Sequence, residues 1–327
     1  MRTWKLATRG SRLALAQAGL VKSSLEALGQ TVELVEVTTR GDRDRTSPLV
    51  AIGGQGLFVR EVERCLLDGT ADLAVHSGKD LPYELAKGLA IAGVPKAASP
   101  GDVLVARKGV SIRTIGTGSP RRILECKRFY PNASYENIRG NVDTRLRKLR
   151  DGEYDGIVLA KAGLERLKDE DGISAFEKAV QEFDVREFSP NEFLPAPCQG
   201  ILAVECRSGD EELIHLLRES SDPVSRARFD AERTLFCLLQ ADCSVPLGVH
   251  ADVEPAKGDA SYRYRLSALL GDRRTSRTVN SSHAASKAET PFSSVSRSRP
   301  ALARTIASYS PSRSLRRRVS TLPRMFS

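Results

Sequence analysis

The sequence predicts an α/β protein with two hinged, doubly wound lobes and a small α+β third domain. Its 327 residues exceed the usual size of one domain, so two or three domains are expected. Short apolar runs alternate with amphipathic segments, which indicates parallel sheets joined by crossover helices. A late apolar run after Pro195 can return to the first sheet, and the two crossing segments would then form a hinge.

The first lobe opens with a strand at 4–8, a helix capped by Ser11 and ending near Gly29, and a strand at 32–38. Strand, helix and strand in this order form a right-handed parallel crossover. The elements expected next are a glycine turn at 53–56, a helix at 57–67, a strand at 72–77 and a turn at 79–82.

The second lobe repeats this alternation beyond Pro100, and a long helix from Pro223 introduces the third domain. In the second lobe we expect strands at 103–107, 114–117, 135–138 and 156–160, with helices at 120–129 and 142–150 and a further helix after the last strand. The predicted domains are a discontinuous first domain at 1–96 and 195–218, a second at 97–194, a third at 219–270, and an atypical tail at 271–327.

The tail differs in composition from the rest of the chain. It holds fourteen serines and twelve Lys or Arg against two acidic residues, with scarcely any apolar periodicity, so disorder is expected there. Its surplus of ten positive charges exceeds the +9 of the whole chain, which leaves the body near −1. The net positive charge therefore comes from the tail. The hypothesis that the protein binds nucleic acid would depend on that segment alone.

Several classes of protein and site have little support. No apolar run reaches the roughly 18 residues of a membrane helix, and the first ten residues lack the apolar core of a signal peptide, which indicates a cytoplasmic protein. The six cysteines form no C-x-x-C pair and the four histidines no H-E-x-x-H arrangement. We therefore expect no metal site and mostly buried thiols.

Polar side chains gather where predicted strands end and helices begin, which is where open α/β sheets bind ligands. In the run from Gly116 to Arg122, Ser119 can cap a helix and Pro120 suits its first position, so free backbone amides favour an anion. Neighbouring arginines add forked donors suited to carboxylates. The residues at these turns are Arg9, Ser11, Ser77, Lys79, Thr117, Ser119, Arg121, Arg122, Arg139, Arg145 and Arg147.

Two further residues can be read in two ways from their position. Asp80, directly after Lys79, could stabilise a cation formed during a reaction, or it could bond its own backbone in the turn. Cys243 lies in a loop past a helix, where a thiol can be exposed and reactive or can be idle.

Five motifs in register resemble the porphobilinogen deaminases, which are also called hydroxymethylbilane synthases, and the resemblance runs over about residues 3 to 270. The motifs are Ala7-Thr-Arg-Gly-Ser11, Gly53-Gly-Gln-Gly-Leu-Phe-Val59, Ala74-Val-His-Ser-Gly-Lys-Asp-Leu-Pro82, Arg139-Gly-Asn-Val-Asp-Thr-Arg145 and Asp242-Cys-Ser-Val-Pro-Leu-Gly248. The resemblance implies head-to-tail condensation of four porphobilinogen molecules into hydroxymethylbilane with loss of ammonia, a step of tetrapyrrole and haem biosynthesis.

The resemblance also implies roles for individual residues. Asp80 matches the catalytic aspartate, and Cys243 matches the cysteine that carries a dipyrromethane cofactor through a thioether. The residues implied to hold the cofactor are Lys79, Ser77, Thr117, Ser119, Arg121 and Arg122. The residues implied to receive the incoming ring are Arg9, Ser11, Arg139, Arg145, Phe58 in a lid loop and Gln199 in the cleft.

The end of the chain departs from the family, whose members complete the third domain with a strand and a covering helix. We therefore expect a third domain that is incomplete at its C-terminal end, and a frame change in the gene is one explanation for the Ser/Arg-rich stretch. A monomer without a specific nucleic-acid or membrane partner is expected. The alternative is a non-catalytic two-lobed protein, like the periplasmic binding proteins, that clamps an acidic small molecule.

Overall fold

A computed structural model describes residues 2–39, 59–240, 245–255, 261–271 and 276–286, the last range for its backbone only. Three sheets organise these residues, two of them with five strands and one with three. Among the described residues, no helix combines the length and the apolar character needed to cross a membrane.

The first sheet has the strand order β2-β1-β3-β10-β4 and forms the first lobe. Its strands are β1 (Thr3–Arg9), β2 (Thr31–Val37), β3 (Leu73–Ser77), β4 (Leu89–Gly93) and β10 (Leu202–Arg207). The helices beside it are α1 (Arg12–Glu26), α2 (Arg60–Leu67) and α7 (Glu211–Glu219).

The second sheet has the strand order β7-β6-β8-β5-β9 and forms the second lobe. Its strands are β5 (Asp102–Ala106), β6 (Thr114–Gly116), β7 (Ser134–Glu136), β8 (Gly156–Ala160) and β9 (Asp184–Glu187). Its helices are α3 (Pro120–Cys126), α4 (Val142–Arg150), α5 (Lys161–Arg166) and α6 (Ala175–Glu182).

The third sheet is antiparallel throughout and consists of β11 (Leu247–Pro255), β12 (Ser261–Gly271) and β13 (Ser276–Ser286). Helix α8 (Pro223–Leu239) packs on it, with Leu235 and Leu239 against Val249 and Leu266. These four side chains are buried to within 3% of full enclosure. Burying such a side chain contributes about 1.5–3 kcal/mol, so this contact anchors the small domain to its helix.

The α/β class and the two hinged, doubly wound lobes with a small third domain are confirmed. The periodicity behind the first lobe is visible in its core, where Leu6 of β1 and Ala18, Val21 and Leu25 of α1 are buried together. Ser11 caps α1 as predicted, because its side chain accepts a hydrogen bond from the backbone N–H of Ala14 at 3.2 Å.

Two expectations need correction. The lobes were expected to be parallel sheets, but both are mixed: β10 runs antiparallel to β3 and β4, and β5 runs antiparallel to β8 and β9. A strand that returns through a hinge reaches the sheet from the opposite end, which reverses its direction.

The tail was expected to be disordered from residue 271, but β13 pairs along all eleven residues of β12. Backbone pairing at an exposed edge does not require apolar side chains, so composition alone missed this strand.

The hinge consists of the two segments that cross between the lobes, near residues 94–101 and 194–201. The backbone N–H of Ala98 donates to the carbonyl of Gly200 at 3.1 Å, which ties the two crossings together. Gly200 has φ +83°, and a Cβ there would lie 2.6 Å from the carbonyl oxygens of both Ala98 and Ser99. Only glycine fits this approach, and the lobes are therefore joined by a tightly packed connection.

Candidate active site

The loop after β3 brings three predicted residues to the C-terminal edge of the first sheet. A 3₁₀ turn spans Gly78–Asp80 and leaves Asp80 exposed and Lys79 half-buried. The hydroxyl of Ser77 accepts a hydrogen bond from Nε2 of Gln17 at 3.1 Å, which fixes the start of the turn against α1. The turn thus presents a carboxylate and an ammonium group side by side.

The loop after β1 lies at the same edge. Arg9 ends the strand and is half-buried, and Ser11 holds the first turn of α1 through its capping hydroxyl. The hydroxyl of Thr8 also donates to the carbonyl of Ala14 at 3.2 Å, so the loop is fastened at both ends. Parallel strands end at the same edge of a sheet, which explains why these residues and those after β3 share one side of the lobe.

The loop after β6 supplies the facing side from the second lobe. Ser119 caps α3 and accepts from the backbone N–H of Arg122 at 3.4 Å, with Pro120 in the first turn, as the sequence predicted. The hydroxyl of buried Thr117 accepts from the backbone N–H of Ser119 at 3.3 Å. Thr117 and Ser119 therefore shape the loop, and their hydroxyls already have partners within it.

Arg121 and Arg122 do not face solvent, being 4% and 8% exposed. Both grip Asp102, the fully buried first residue of β5. Oδ1 of Asp102 accepts from Nη2 and Nε of Arg122 at 2.7 and 3.1 Å, and Oδ2 lies 2.7 Å from Nη1 of Arg121. The contact through Oδ2 departs from hydrogen-bond direction and is ionic. Burial would raise the pKa of Asp102, but the charges of Arg121 and Arg122 lower it.

Lys79 and Arg145 connect the two lobes electrostatically. Burial lowers the pKa of Lys79 to about 8, and the positive charges of Arg121 and Arg122 act in the same direction, against Asp80 and Asp102. Burial also lowers the pKa of Arg145 to about 10, with Arg122 and Arg139 adding to the effect and Asp80 opposing it. Crowding of like charges in a desolvated place is typical of a binding site that awaits an anion.

The loop after β7 adds Arg139, and Arg145 follows on α4. Nε of Arg145 donates to the carbonyl of Gly140 at 2.8 Å, and Asn141 caps α4 through the backbone N–H of Thr144. Nη2 of Arg139 is buried with no hydrogen-bond partner among the described residues. An unpaired buried donor is costly, so this guanidinium group is suited to a ligand acceptor.

Gln199 lies in the hinge rather than on an open cleft wall. It is 1% exposed, and its Nε2 donates to the carbonyl of Pro100 at 2.7 Å. Nη2 of Arg166 donates to the carbonyl of Gly200 at 2.7 Å beside it. The Gln199 side chain therefore exposes almost no surface to a ligand. Its predicted contact with the substrate stays a prediction.

Two predicted residues, Phe58 and Cys243, lie outside the described residues. Helix α8 ends at Leu239, and β11 begins at Leu247, so Cys243 belongs to the connection between these elements.

Sequence reasoning missed Asp102 and Arg166. Asp102 is a charged residue at the head of an otherwise apolar strand, Asp-Val-Leu-Val-Ala, and that contrast was the available signal. Arg166 ends α5 and reaches the hinge backbone, which no local pattern indicates.

The grouped side chains carry five formal positive charges and two negative ones: Lys79, Arg121, Arg122, Arg139 and Arg145 against Asp80 and Asp102. A surplus of three cations fits a ligand with several carboxylates. A dipyrromethane, whose two rings each carry an acetate and a propionate, has this chemistry. The guanidinium donors therefore fit the acid groups of that cofactor.

The fold and the site define a class: a two-lobed α/β protein with a cationic cleft for a polycarboxylate ligand. Residues 4–215 match the family model described as "Porphobilinogen deaminase, dipyromethane cofactor binding domain". The chain belongs to the porphobilinogen deaminase family.

Two porphobilinogen deaminases from other organisms agree with this assignment. A porphobilinogen deaminase of Brevibacillus brevis is 42% identical over 261 residues, covering 77% of this chain and 81% of that protein. One from Nitratidesulfovibrio vulgaris is 41% identical over 288 residues, covering 86% and 87%. Among solved structures, the VFT2 domain of Bordetella pertussis BvgS is 14% identical, with a TM-score of 0.41 over 71% of this chain and 92% of that chain.

Proposed function

We propose that this chain condenses four porphobilinogen molecules head-to-tail into hydroxymethylbilane and releases ammonia, as a transferase of haem and tetrapyrrole biosynthesis. The observation that carries the proposal is the exposed carboxylate of Asp80 within a group of five cations in a chain of this family. Cations bind the acetate and propionate groups, and a single carboxylate stabilises positive charge on a pyrrole ring.

Asp80 is the residue proposed to assist the chemical step. When the C–N bond of the aminomethyl group breaks, ammonia leaves and the positive charge of the remaining fragment spreads to the pyrrole nitrogen. A carboxylate held close to that N–H lowers the barrier, because it is already in place when the charge develops. Lys79 and Arg145 are the electrostatic neighbours of Asp80, and each has a pKa that the charge of Asp80 raises against the lowering effect of burial.

The cationic residues are proposed to divide between cofactor and substrate. Arg121 and Arg122 of the second lobe, which bind Asp102, would hold the cofactor's acid groups. The residues that would bind the same groups with them are Lys79, Ser77, Thr117 and Ser119. Arg9, Ser11, Arg139 and Arg145 would receive the incoming ring. Cys243 would hold the dipyrromethane through a thioether, and that group would supply the acceptor carbon for the growing chain. A cytoplasmic monomer is the proposed form of the enzyme.

The test is intact mass. Full-length protein is produced without access to porphobilinogen and is then mixed with it. We expect the protein to gain the mass of two porphobilinogen molecules less two molecules of ammonia. Each attachment breaks a C–N bond and releases ammonia. The first forms the C–S bond, and the thiol proton leaves with the ammonia; the second forms a C–C bond at the free α-carbon of the first ring, whose proton leaves with the second ammonia. Cys243→Ser should abolish the gain.

The matched control is Cys237→Ser, a change in the same part of the chain. Cys237 is half-buried in α8, and its thiol donates to the carbonyl of Tyr83 at 3.2 Å, so it already has a partner. We expect this variant to gain the full mass. A wild-type protein that binds porphobilinogen reversibly without gaining mass would instead be a passive binding protein, and the proposal would be wrong.

A further inference from the structure

Asp102 is a buried carboxylate that makes no contact with solvent and is held by two arginines of one short helix. Its side chain is 0% exposed, and Arg121 and Arg122 follow one another at the start of α3. One carboxylate oxygen serves each guanidinium group, at 2.7 Å in both cases. This arrangement uses both oxygens, so a loss of the carboxylate would release two arginines at once.

Backbone carbonyls complete the fixing of both guanidinium groups. Nη1 of Arg122 donates to the carbonyl of Val158 at 2.8 Å, and Nη1 of Arg121 donates to the carbonyl of Leu194 at 2.7 Å. Val158 lies on β8, and Leu194 lies at the start of the second hinge crossing. The orientation of both arginines is therefore tied to the sheet of the second lobe and to the hinge.

A carboxylate side chain at this position is unexpected in a site that binds the carboxylates of a ligand. The carboxylate cancels one positive charge where a polycarboxylate ligand is expected, so simple electrostatics predicts that the site would bind anions better without it. A buried carboxylate also carries a large desolvation cost. Its presence is explained if the placement of the arginines matters more than their total charge.

We propose that Asp102 is a positioning residue for assembly of the cofactor: it holds Arg121 and Arg122 in the orientation in which their remaining donors receive the acid groups. Arginine has many rotamers, and fixing them before binding removes the entropy that the ligand would otherwise have to offset. Asp102 itself touches no ligand in this proposal. The inference rests on the proposed function, since it concerns the same cofactor.

The experiment measures the rate at which full-length, cofactor-free protein gains the dipyrromethane mass from porphobilinogen. For Asp102→Asn, which keeps the shape and removes the charge, we expect loading to slow by roughly 10- to 100-fold, the range that small misplacements of binding groups produce. Loading at the wild-type rate, or faster as charge alone predicts, would overturn the inference. A wild-type protein that does not load would instead overturn the proposed function.

Asp155→Asn is the matched control for a purely structural effect. Asp155 is 7% exposed in the same lobe, pairs with Nη2 of Arg107 at 2.7 Å, and accepts from the backbone N–H groups of Arg113 and Thr114. We expect this variant to lose stability in urea unfolding and to load as the wild type does. Equal slowing in both variants would mean that Asp102 acts only through stability.

Asp102→Glu keeps the test decisive if the asparagine variant does not fold. It retains the charge and moves the carboxylate by one methylene group, so the ion pairs persist while the arginines are displaced. Slow loading by a folded Asp102→Glu protein supports positioning. Wild-type loading by that protein contradicts it, because the charge would then suffice wherever it lies.

Discussion

At the scale of single residues, Asp80 differs from Asp102, the other carboxylate grouped with the cations of the cleft. It is the exposed carboxylate in the turn after β3, whereas Asp102 is fully buried and bound to two arginines. The two carboxylates lie close to the same cations but suit different roles. Asp80 can stabilise a developing positive charge, whereas Asp102 is held by its two arginines.

Asp80→Asn should keep the fold and the cofactor but lower kcat by roughly 10²- to 10³-fold, the usual effect of removing one preorganised electrostatic partner. A neutral amide cannot stabilise the cation left by ammonia. The measurement is steady-state turnover of porphobilinogen, with intact mass to confirm that the cofactor is attached. Asp151→Asn, an exposed change at the end of α4, is the control and should be neutral. Near-normal turnover in Asp80→Asn would refute the assigned role.

Lys79 gives the cleft a pH dependence. Because burial lowers its pKa to about 8, its positive charge is present below that pH and is lost above it. Loading of cofactor-free wild-type protein should therefore slow as the pH rises through about 8. Lys79→Arg keeps the charge at higher pH, and its loading should stay level over the same range. If both proteins decline together, another group causes the loss.

At the scale of elements, the hinge depends on a backbone conformation that side chains rarely adopt. Two crossings meet at Gly200, where φ is +83° and carbonyl oxygens approach closely. By contrast, β13 needs only backbone pairing with β12, which explains how a Ser-rich segment can extend the third sheet.

Gly200→Ala should destabilise the protein by at least about 1–3 kcal/mol, because the strained φ adds to a Cβ contact of 2.6 Å with Ala98 and Ser99. Urea unfolding measures the loss. Gly19→Ala is the control: no atom lies within 4 Å of its Cβ, and in the middle of α1 the change should stabilise by about 0.5–1 kcal/mol. Equal stability of the Gly200 variant and the wild type would show that the crossings can separate freely.

At the scale of the whole molecule, Glu232 joins the third domain to the hinge. It is fully buried on α8, and its Oε2 accepts from the backbone N–H of Cys198 at 2.6 Å. Its Oε1 accepts from Nε of Arg228 at 2.9 Å and from the backbone N–H of Ala251 at 3.0 Å. One carboxylate therefore contacts a hinge crossing, a helix and a strand of the third sheet.

Glu232→Gln should lower the free energy of unfolding by roughly 3–5 kcal/mol, because Arg228 would keep a buried charge without its partner. Glu219→Gln, at the exposed end of α7, should change it by less than about 0.5 kcal/mol. Urea unfolding of the two variants is the comparison. Similar small losses in both would mean that the buried network contributes little.

The same carboxylate sets a dependence on acid. Burial would raise the pKa of Glu232, but Arg228 and His250 lower it below 4.5. A lowered folded-state pKa gives stability that is present above about pH 4.5 and is lost as the pH falls through the folded-state value. Stability of the wild type should therefore fall more steeply on acidification than that of Glu232→Gln. Parallel curves would contradict this.

The sequence predicted most of the helices and strands because their causes are local. The cap by Ser11, the proline after Ser119 and the apolar spacing of α1 each act within a few residues. The positions of the cleft residues followed as well, since strand ends of one sheet share an edge. Contacts between residues distant in the chain could not be predicted in this way. The hydrogen bond that places Gln199 in the hinge is one of these contacts.

The sequence by itself determined the α/β class, the ends of the strands at which cations gather, and the motifs that the porphobilinogen deaminase family shares. Only the tertiary structure decided the antiparallel direction of β10, the clamp on Asp102 and the junction at Glu232. The physical reason is the distance along the chain. Asp102 and Arg122 are 20 residues apart, and Glu232 and Cys198 are 34 apart. Polar groups so separated in sequence become partners only when the packing of whole elements removes them from water.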